Sequence, residues 1–356
     1  MQLSHEQVVG ETGFEVGGLQ NWGHEEDVQP DVAVRAMLPV LRLELDFRFD
    51  DAAWLPPLRG AMWRSVLGLE LKRMEERGHW PVPAGGMLGL NPQSMWRWVY
   101  KTDATQSLVR PSFGTPPHPV VIDSPPESDW QIVPPGSTIR FQISVFGRMT
   151  HAFRPLIEAF QRAGAKGLGK AITREGMRGR ASMIAVHQVW RSQGEESRPL
   201  WTADRGWLSE QVEPDWPEPP MAHLVRIHFV TPLRLEENKR LVKAEHFRPA
   251  HLFAALSRRI SGLMSGETGT VLNHDFRHLK FIWEQLEFES AKIEWVDLER
   301  WSTSQQTEVP AGGIVGSAVI HLTGLQPLFD WLWLAQWTHV GKGTLMGLGS
   351  IRLESL

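Results

Sequence analysis

Four glycines near the end of the chain are the residues best placed to do chemistry. Gly341, Gly343, Gly347 and Gly349 fall within nine positions, with Lys342 between the first two and Thr344 after the second. Glycines at that density let a backbone turn at positive φ and run close against a ligand. Successive backbone N–H groups in such a loop form an anion-binding concavity, to which Lys342 adds a point charge. The pattern suits a phosphate. It is not the G-x-x-x-x-G-K-[ST] loop, and no βαβ unit follows it, so neither nucleotide-binding motif applies. A plain glycine-rich turn between a last helix and a last strand fits the same residues equally well.

A second stretch carries the same theme. Residues 162–180 hold Arg162, Lys166, Lys170, Arg174, Arg178 and Arg180 against Glu175 alone, threaded by Gly164, Gly167, Gly169, Gly176 and Gly179. Charge runs are commonly solvated surface, but the glycines favour phosphate contact here. The formal net charge of −4 does not argue against a polyanion, because residues 1–38 hold seven acids against Arg35 and leave the rest of the chain at +2. Clustering of charge matters more than its total.

Composition limits the other possibilities. The chain has 356 residues, 42% of them hydrophobic and 22% charged, with a mean hydropathy of −0.26. That length predicts two domains. No apolar run approaches the roughly 18 residues of a membrane span, and the N-terminus has no signal-peptide pattern, so a soluble protein of the cytoplasm without a membrane partner is expected. The absence of cysteine excludes disulfides, thiol catalysis and zinc–thiolate sites. Most of the 17 tryptophans are expected to anchor cores, with some free to stack on bases.

The elements that would position these residues follow from periodicity. Residues 38–49 alternate as a strand with one wet face, and residues 58–77 show helical spacing after Pro56-Pro57. Short strands are expected at 96–100 and 119–122, then a strand at 138–146, a helix at 152–162 and a strand at 181–190. That is the β-α-β-β-α-β order of a ferredoxin-like domain over residues 38–191. Residues 1–37 read as an acidic, loosely ordered extension, and 192–221, with five prolines, as a linker. A second module over 222–356 has strands at 223–230, 289–296, 314–322 and 350–353, with helices near 249–265, 274–286 and 327–338. Both modules close with helix, glycine-rich basic loop and strand, and Gly167-Leu168-Gly169 echoes Gly347-Leu348-Gly349.

The run His339-Val-Gly-Lys-Gly-Thr-Leu-Met-Gly-Leu-Gly349 between a helix and a closing strand resembles the C-terminal signature of the CRISPR precursor-RNA-processing endoribonucleases of the RAMP superfamily. Further segments resemble the same family in order over residues 40–356. They are Leu55-Pro-Pro-Leu-Arg-Gly-Ala61, Phe146-Gly147-Arg148, Gly167-Leu-Gly-Lys170, Thr231-Pro-Leu-Arg-Leu235, and Trp295–Ser302 leading to Gly312-Gly-Ile-Val-Gly316. The resemblance implies an α+β fold of two tandem ferredoxin-like domains, each ending in a glycine-rich loop. It also implies metal-independent cleavage of CRISPR repeat RNA by 2′-hydroxyl attack, leaving a 2′,3′-cyclic phosphate, with no cofactor. Repeat RNA or its processed crRNA is the expected partner, with other subunits of a CRISPR effector complex as a second class.

Such chemistry needs proton-transfer groups, for which histidine is suited near neutral pH, and cations or backbone N–H groups to hold the phosphorane charge. Among 14 histidines, His79, just past the first helix, occupies the position the family most often uses and is the first catalytic candidate. A histidine at a helix C-terminus is also favoured by the macrodipole alone. His339, opening the glycine loop, is the second, as a phosphate or supporting residue or in catalysis; His151 is a distant third. RNA binding is expected of Gly341, Lys342, Gly343, Thr344, Gly347 and Gly349, and of Lys166, Lys170, Arg174, Arg178 and Arg180. His274 and His278 have the i, i+4 spacing of helical metal ligands but no third ligand, so no metal is expected. Tyr100, the single tyrosine, reads as a strand residue. The chain departs from its relatives in lacking a cysteine cluster and in carrying Trp63-Arg64 where a histidine is often found in the first helix. That leaves the acid/base open, and the alternative is a non-catalytic RNA-binding subunit of a crRNA-guided complex.

Overall fold

A computed structural model of the chain describes residues 34–35, 37–78, 94–102, 107–109, 115–190, 196–209, 211–272, 275–302 and 307–356. Most of the acidic extension, His79 and His274 lie outside them.

The N-terminal elements are β1 (Val40–Phe49), β2 (Ala53–Leu55), α1 (Arg59–Glu76), β3 (Val120–Asp123), β4 (Gln131–Val133), β5 (Thr138–Phe146), α2 (Phe153–Lys166), β6 (Ala181–Trp190), β7 (Glu196–Thr202) and β8 (Gly206–Trp207). The sheet order is β3-β5-β1-β6-β7-β8, with β1 antiparallel to both β5 and β6. Its first four strands and two helices make a ferredoxin-like domain. One face of β1 (Leu41, Leu43, Leu45, Phe47, Phe49) joins α1 and α2 in a core centred on Trp63, which stacks on Phe141 at 4.3 Å. The other face differs from expectation, since Arg42, Glu44 and Asp46 are buried instead of wet. Arg140 bridges Glu44 at 3.1 Å and Asp46 at 2.6 Å, and the Arg42 guanidinium lies 5.3 Å from the centre of the Trp337 ring. A face that covers the other domain needs its charges paired before it can be buried.

The C-terminal elements are β9 (Leu224–Leu233), β10 (Glu236–Glu237), β11 (Arg240–Leu241), α3 (Pro249–Thr268), α4 (Phe276–Glu284), β12 (Ser290–Val296), β13 (Glu299–Ser302), β14 (Thr307–Pro310), β15 (Gly313–His321), α5 (Gln326–Thr338) and β16 (Ile351–Ser355). The main sheet runs β12-β15-β9-β16, again with the first strand central and antiparallel to both neighbours. The chain is thus an α+β protein of two tandem ferredoxin-like domains. Leu345 belongs to the N-terminal core, while Val40, Val121 and Phe146 belong to the C-terminal one, so the two cores interlock.

Two local expectations change. Residues 97–101 form a wide helical turn in place of a strand, with Trp96 and Tyr100 stacked at 6.1 Å. The first part of the expected linker, 196–207, instead extends the first sheet: β7 pairs with β6, and Leu200 is fully buried. Its prolines fall mainly in 214–220, beyond those strands, where they cost no ladder hydrogen bond.

Candidate nucleic-acid interface

The glycine-rich loop lies between the domains, and its glycines answer to backbone crowding. Gly341 sits at φ +84°, and a Cβ there would come 2.4 Å from the Arg234 carbonyl oxygen. Gly60, in the first turn of α1, comes so near the loop that a Cβ would lie 2.2 Å from the Met346 carbonyl oxygen. Both are closer than side-chain carbon tolerates. The segment Thr231–Arg234 clasps the loop from the other side. The Thr231 hydroxyl donates to the Gly347 carbonyl at 2.7 Å and accepts from the Ser350 amide at 2.8 Å. The Gly349 amide donates to the Pro232 carbonyl at 3.1 Å, and the Lys342 amide to the Arg234 carbonyl at 2.9 Å. Gly347, Leu348 and Gly349 are buried by these contacts.

What remains open is the first half of the loop. Lys342 is exposed, its ammonium paired with Glu236. No backbone hydrogen bond to another described residue engages the amides of Gly343 and Thr344. Together with Thr115, Pro117, His118, Arg234, Arg258 and Arg259 they line a cleft of about 400 Å³. Arg259 is only 7% exposed; its Nε donates to the Thr338 carbonyl at 3.0 Å, and its buried Nη2 has no hydrogen-bond partner among the described residues. Burial lowers its pKa to about 9, so it stays charged at neutral pH. Arg64 of α1 adds positive field at the margin, helping to lower the pKa of His118 and of Arg300 on β13. A buried, unsatisfied guanidinium among other cations is costly in the empty protein. It becomes favourable when an anion enters.

The histidines fall into different places. His339 is fully buried at φ +52°, its Nδ1 3.3 Å from the Leu348 carbonyl and its Nε2 3.9 Å from Asp123 on β3. Burial lowers its pKa to about 4. The ring is sequestered behind the loop, its Nε2 without a hydrogen-bond partner among the described residues, and it does not line the cleft. His79 lies outside the described residues. The helix before it begins against the loop at Gly60 and ends at Glu76, roughly 24 Å away at 1.5 Å per residue. His151 is exposed at the end of the turn after β5. His118 had no motif to mark it. It is half-buried in the cleft wall, its Nδ1 2.8 Å from the Val99 carbonyl. Arg258 and Arg259 are equally anonymous in the sequence; their adjacency on a helix next to an apolar run was the only signal. Tyr100 is enclosed, its hydroxyl bonded to the Arg64 carbonyl, and burial raises its pKa.

The second basic loop is built like the first. Gly169, at φ +78°, approaches the Trp54 carbonyl so closely that a Cβ would lie 2.2 Å from it, and the Lys170 amide donates to that carbonyl at 2.8 Å. These are the contacts Gly341 and Lys342 make with Arg234. The structural repeat therefore aligns Gly169-Lys170 with Gly341-Lys342, and not with Gly347–Gly349 as the echo in sequence suggested. Lys166 is tied to Glu70 at 2.5 Å and Arg180 to Asp51 at 2.7 Å. Lys170 lies over the exposed Trp54 ring at 4.5 Å, and Arg174 and Arg178 are exposed.

Comparison with known proteins agrees with this architecture. A family model described as an N-terminal domain matches residues 38–213, and that of the CRISPR-associated endoribonuclease Cas6 matches residues 227–351. No curated protein matches the chain. Among solved structures, a Cas6 product complex is 14% identical with a TM-score of 0.51, covering 89% of this chain and 99% of that one. A partial Cas6-RT-Cas1–Cas2 complex is 15% identical with a TM-score of 0.49 over 90% of this chain. The chain spans 46% of the length of that relative. A Cas6-related gene product from Pyrococcus furiosus is 8% identical with a TM-score of 0.42, covering 88% and 98%. The first of these likenesses supports the fold, and the Cas6 match covers the domain that carries the glycine loop. The family match is thus to that of the CRISPR-associated Cas6 endoribonucleases, over residues 227–351.

Proposed function

We propose that this protein cuts CRISPR repeat RNA in precursor transcripts, holding the RNA backbone in the cleft between its domains. One observation carries the reading: Arg234, Arg258, Arg259 and Lys342 of the C-terminal domain converge on the open half of the glycine loop, facing His118 of the N-terminal domain, and Arg259 keeps a buried guanidinium nitrogen there with no partner among the described residues. Phosphate is the anion that fits such a donor set, through bidentate contacts from arginine and loop amides. Gly343 and Thr344 would offer amides to a non-bridging oxygen and Lys342 a point charge, while Gly341, Gly347 and Gly349 shape the loop. Lys170, Arg174 and Arg178 would track flanking RNA; Lys166 and Arg180, already paired, would contribute less.

The finer chemistry belongs to the same proposal. The RNA 2′-hydroxyl attacks the adjacent phosphorus, the 5′-oxygen leaves, and a 2′,3′-cyclic phosphate remains. That route needs no metal because the nucleophile is internal to the substrate. Purified protein is incubated with labelled repeat RNA in EDTA, alongside the same RNA carrying a 2′-deoxy residue at the mapped cut. Cleavage of the first and not the second supports the reading. Tight binding with no cleavage supports a non-catalytic RNA-binding subunit instead.

A further inference from the structure

We infer that His118 is the proton-transfer residue of this cleft, its Nε2 positioned to take the proton from the attacking 2′-hydroxyl. The inference rests on the RNA-cleavage reading and supplies the group that reading lacks among the described residues: His339 is enclosed, and His79 falls outside them.

The argument begins with the chain around it. His118 stands between Pro117 and Pro119, where ring-fixed φ angles and the restriction on the residue before proline hold the backbone extended. This strap comes from the N-terminal domain, immediately before β3, but it is pressed onto α3 of the C-terminal domain. A Cβ at Gly262 would come 2.6 Å from the Pro117 ring. Arg258 and Arg259 lie four and three residues before Gly262, on the same side of α3 by helical spacing. The packing that seats the strap therefore brings His118 to the two arginines. The turn at 97–101 supplies the remaining restraint through the Val99 carbonyl, 2.8 Å from Nδ1.

That bond decides the tautomer. A carbonyl oxygen only accepts, so Nδ1 carries the hydrogen and Nε2 of the neutral ring carries the lone pair. Nε2 has no hydrogen-bond partner among the described residues, nor is it a buried orphan atom. The ring is held in the form a general base needs, beside the anion cradle. Burial, with Arg259 and Arg64 nearby, lowers its pKa to about 4, so it is unprotonated at neutral pH. The charged groups around the cleft are Arg64 from α1, Arg258 and Arg259 from α3, Arg234 and Glu236 after β9, and Lys342 from the loop. A docked phosphate would offset this cationic excess and raise the basicity of Nε2 when substrate is bound.

In the step proposed, the 2′-hydroxyl proton passes to Nε2 and the oxygen lone pair forms the O2′–P bond. The P–O5′ bond breaks, and the leaving oxygen takes a proton from water in the cleft. Arg258, Arg259 and the Gly343 and Thr344 amides hold the phosphorane charge. His118 then returns its proton to solvent.

The discriminating variant is His118→Asn, whose amide N–H can still donate to the Val99 carbonyl while offering no base. The probe is a labelled RNA carrying the repeat of a CRISPR array from the same genome. The expected result is a rate lower by roughly 10²–10⁴-fold, with RNA affinity and melting temperature within error of wild type. The acidic limb of the wild-type kcat/KM profile should disappear with it. Nitrogen NMR of the free protein should show His118 protonated at Nδ1, with its titration moved upward by 2′-deoxy RNA. A His118→Asn protein that cuts within threefold of wild type overturns the inference while leaving the cleavage reading intact. A wild type that binds the RNA and never cuts it overturns both.

Discussion

Acidification should loosen this protein in part through a buried ring, His339, with His118 acting in the same direction. The ordinary His339 pKa of 6.5 falls to about 4 in the folded chain because burial disfavours the charged form. Between those values the unfolded chain holds a proton that the folded one refuses, so stability rises with pH across the window and is lost as pH falls through it. A displacement of 6.5 to about 4, at 1.36 kcal/mol per unit, amounts to about 3 kcal/mol of stability lost on going from pH 7.5 to 4. The wild-type curve alone does not isolate this contribution. Glu267, buried against Arg148 and Trp98, is raised from its ordinary 4.5 to about 7 and acts with the opposite sign over much of the same range. His339→Asn removes the titration while retaining an N–H for the Leu348 carbonyl, and asparagine tolerates the positive φ found there. Urea unfolding of both proteins at half-unit intervals from pH 4.5 to 7.5 gives the difference directly. The wild type should lose about 2–3 kcal/mol more than the variant at the acidic end. Parallel curves would refute the assignment of a neutral, solvent-excluded imidazole.

Further outcomes follow from the cleft and the domain contact. Arg259→Met should lower repeat-RNA affinity at least tenfold while leaving the melting temperature equal or higher, because it removes a buried unsatisfied cation; filter binding and calorimetry read the two effects. Gly60→Ala would drive a Cβ to 2.2 Å from the Met346 carbonyl, and denaturant unfolding should show a cost of about 1–3 kcal/mol. Lys342→Ala and Lys170→Ala should each reduce the slope of log affinity against log salt by about one. Arg180→Ala, whose side chain is already held by Asp51, should change it little.

Much of the fold was legible because it depends on short-range pattern. The alternation Leu41, Leu43, Leu45, Phe47 fixes a strand wherever it packs, and both β-α-β-β-α-β orders follow from such periods. Residues 97–101 misled because Trp, Val and Tyr favour strands, while the structure stacks Trp96 on Tyr100 and seats Tyr100 against Gly68 of α1. The segment 196–207 misled because prolines further on gave it the composition of a linker, although Leu200 is fully buried in the edge it extends.

The site divides the same way. Sequence alone indicated that the glycines of 341–349 let the backbone turn at positive φ and pass close to a ligand, that Lys342 is displayed among them, and that no thiol takes part. Only tertiary structure decided what the loop faces. Gly60, Thr231 and Pro232 take up its second half, His339 is locked behind it, and its first half opens on a cleft walled by both domains. His118, Arg234, Arg258 and Arg259 come from three separate stretches of chain with no shared spacing. They meet because Pro117 packs on Gly262 and the Lys342 amide bonds to Arg234. Such encounters are set by where two domains dock, and no local period in a sequence records that.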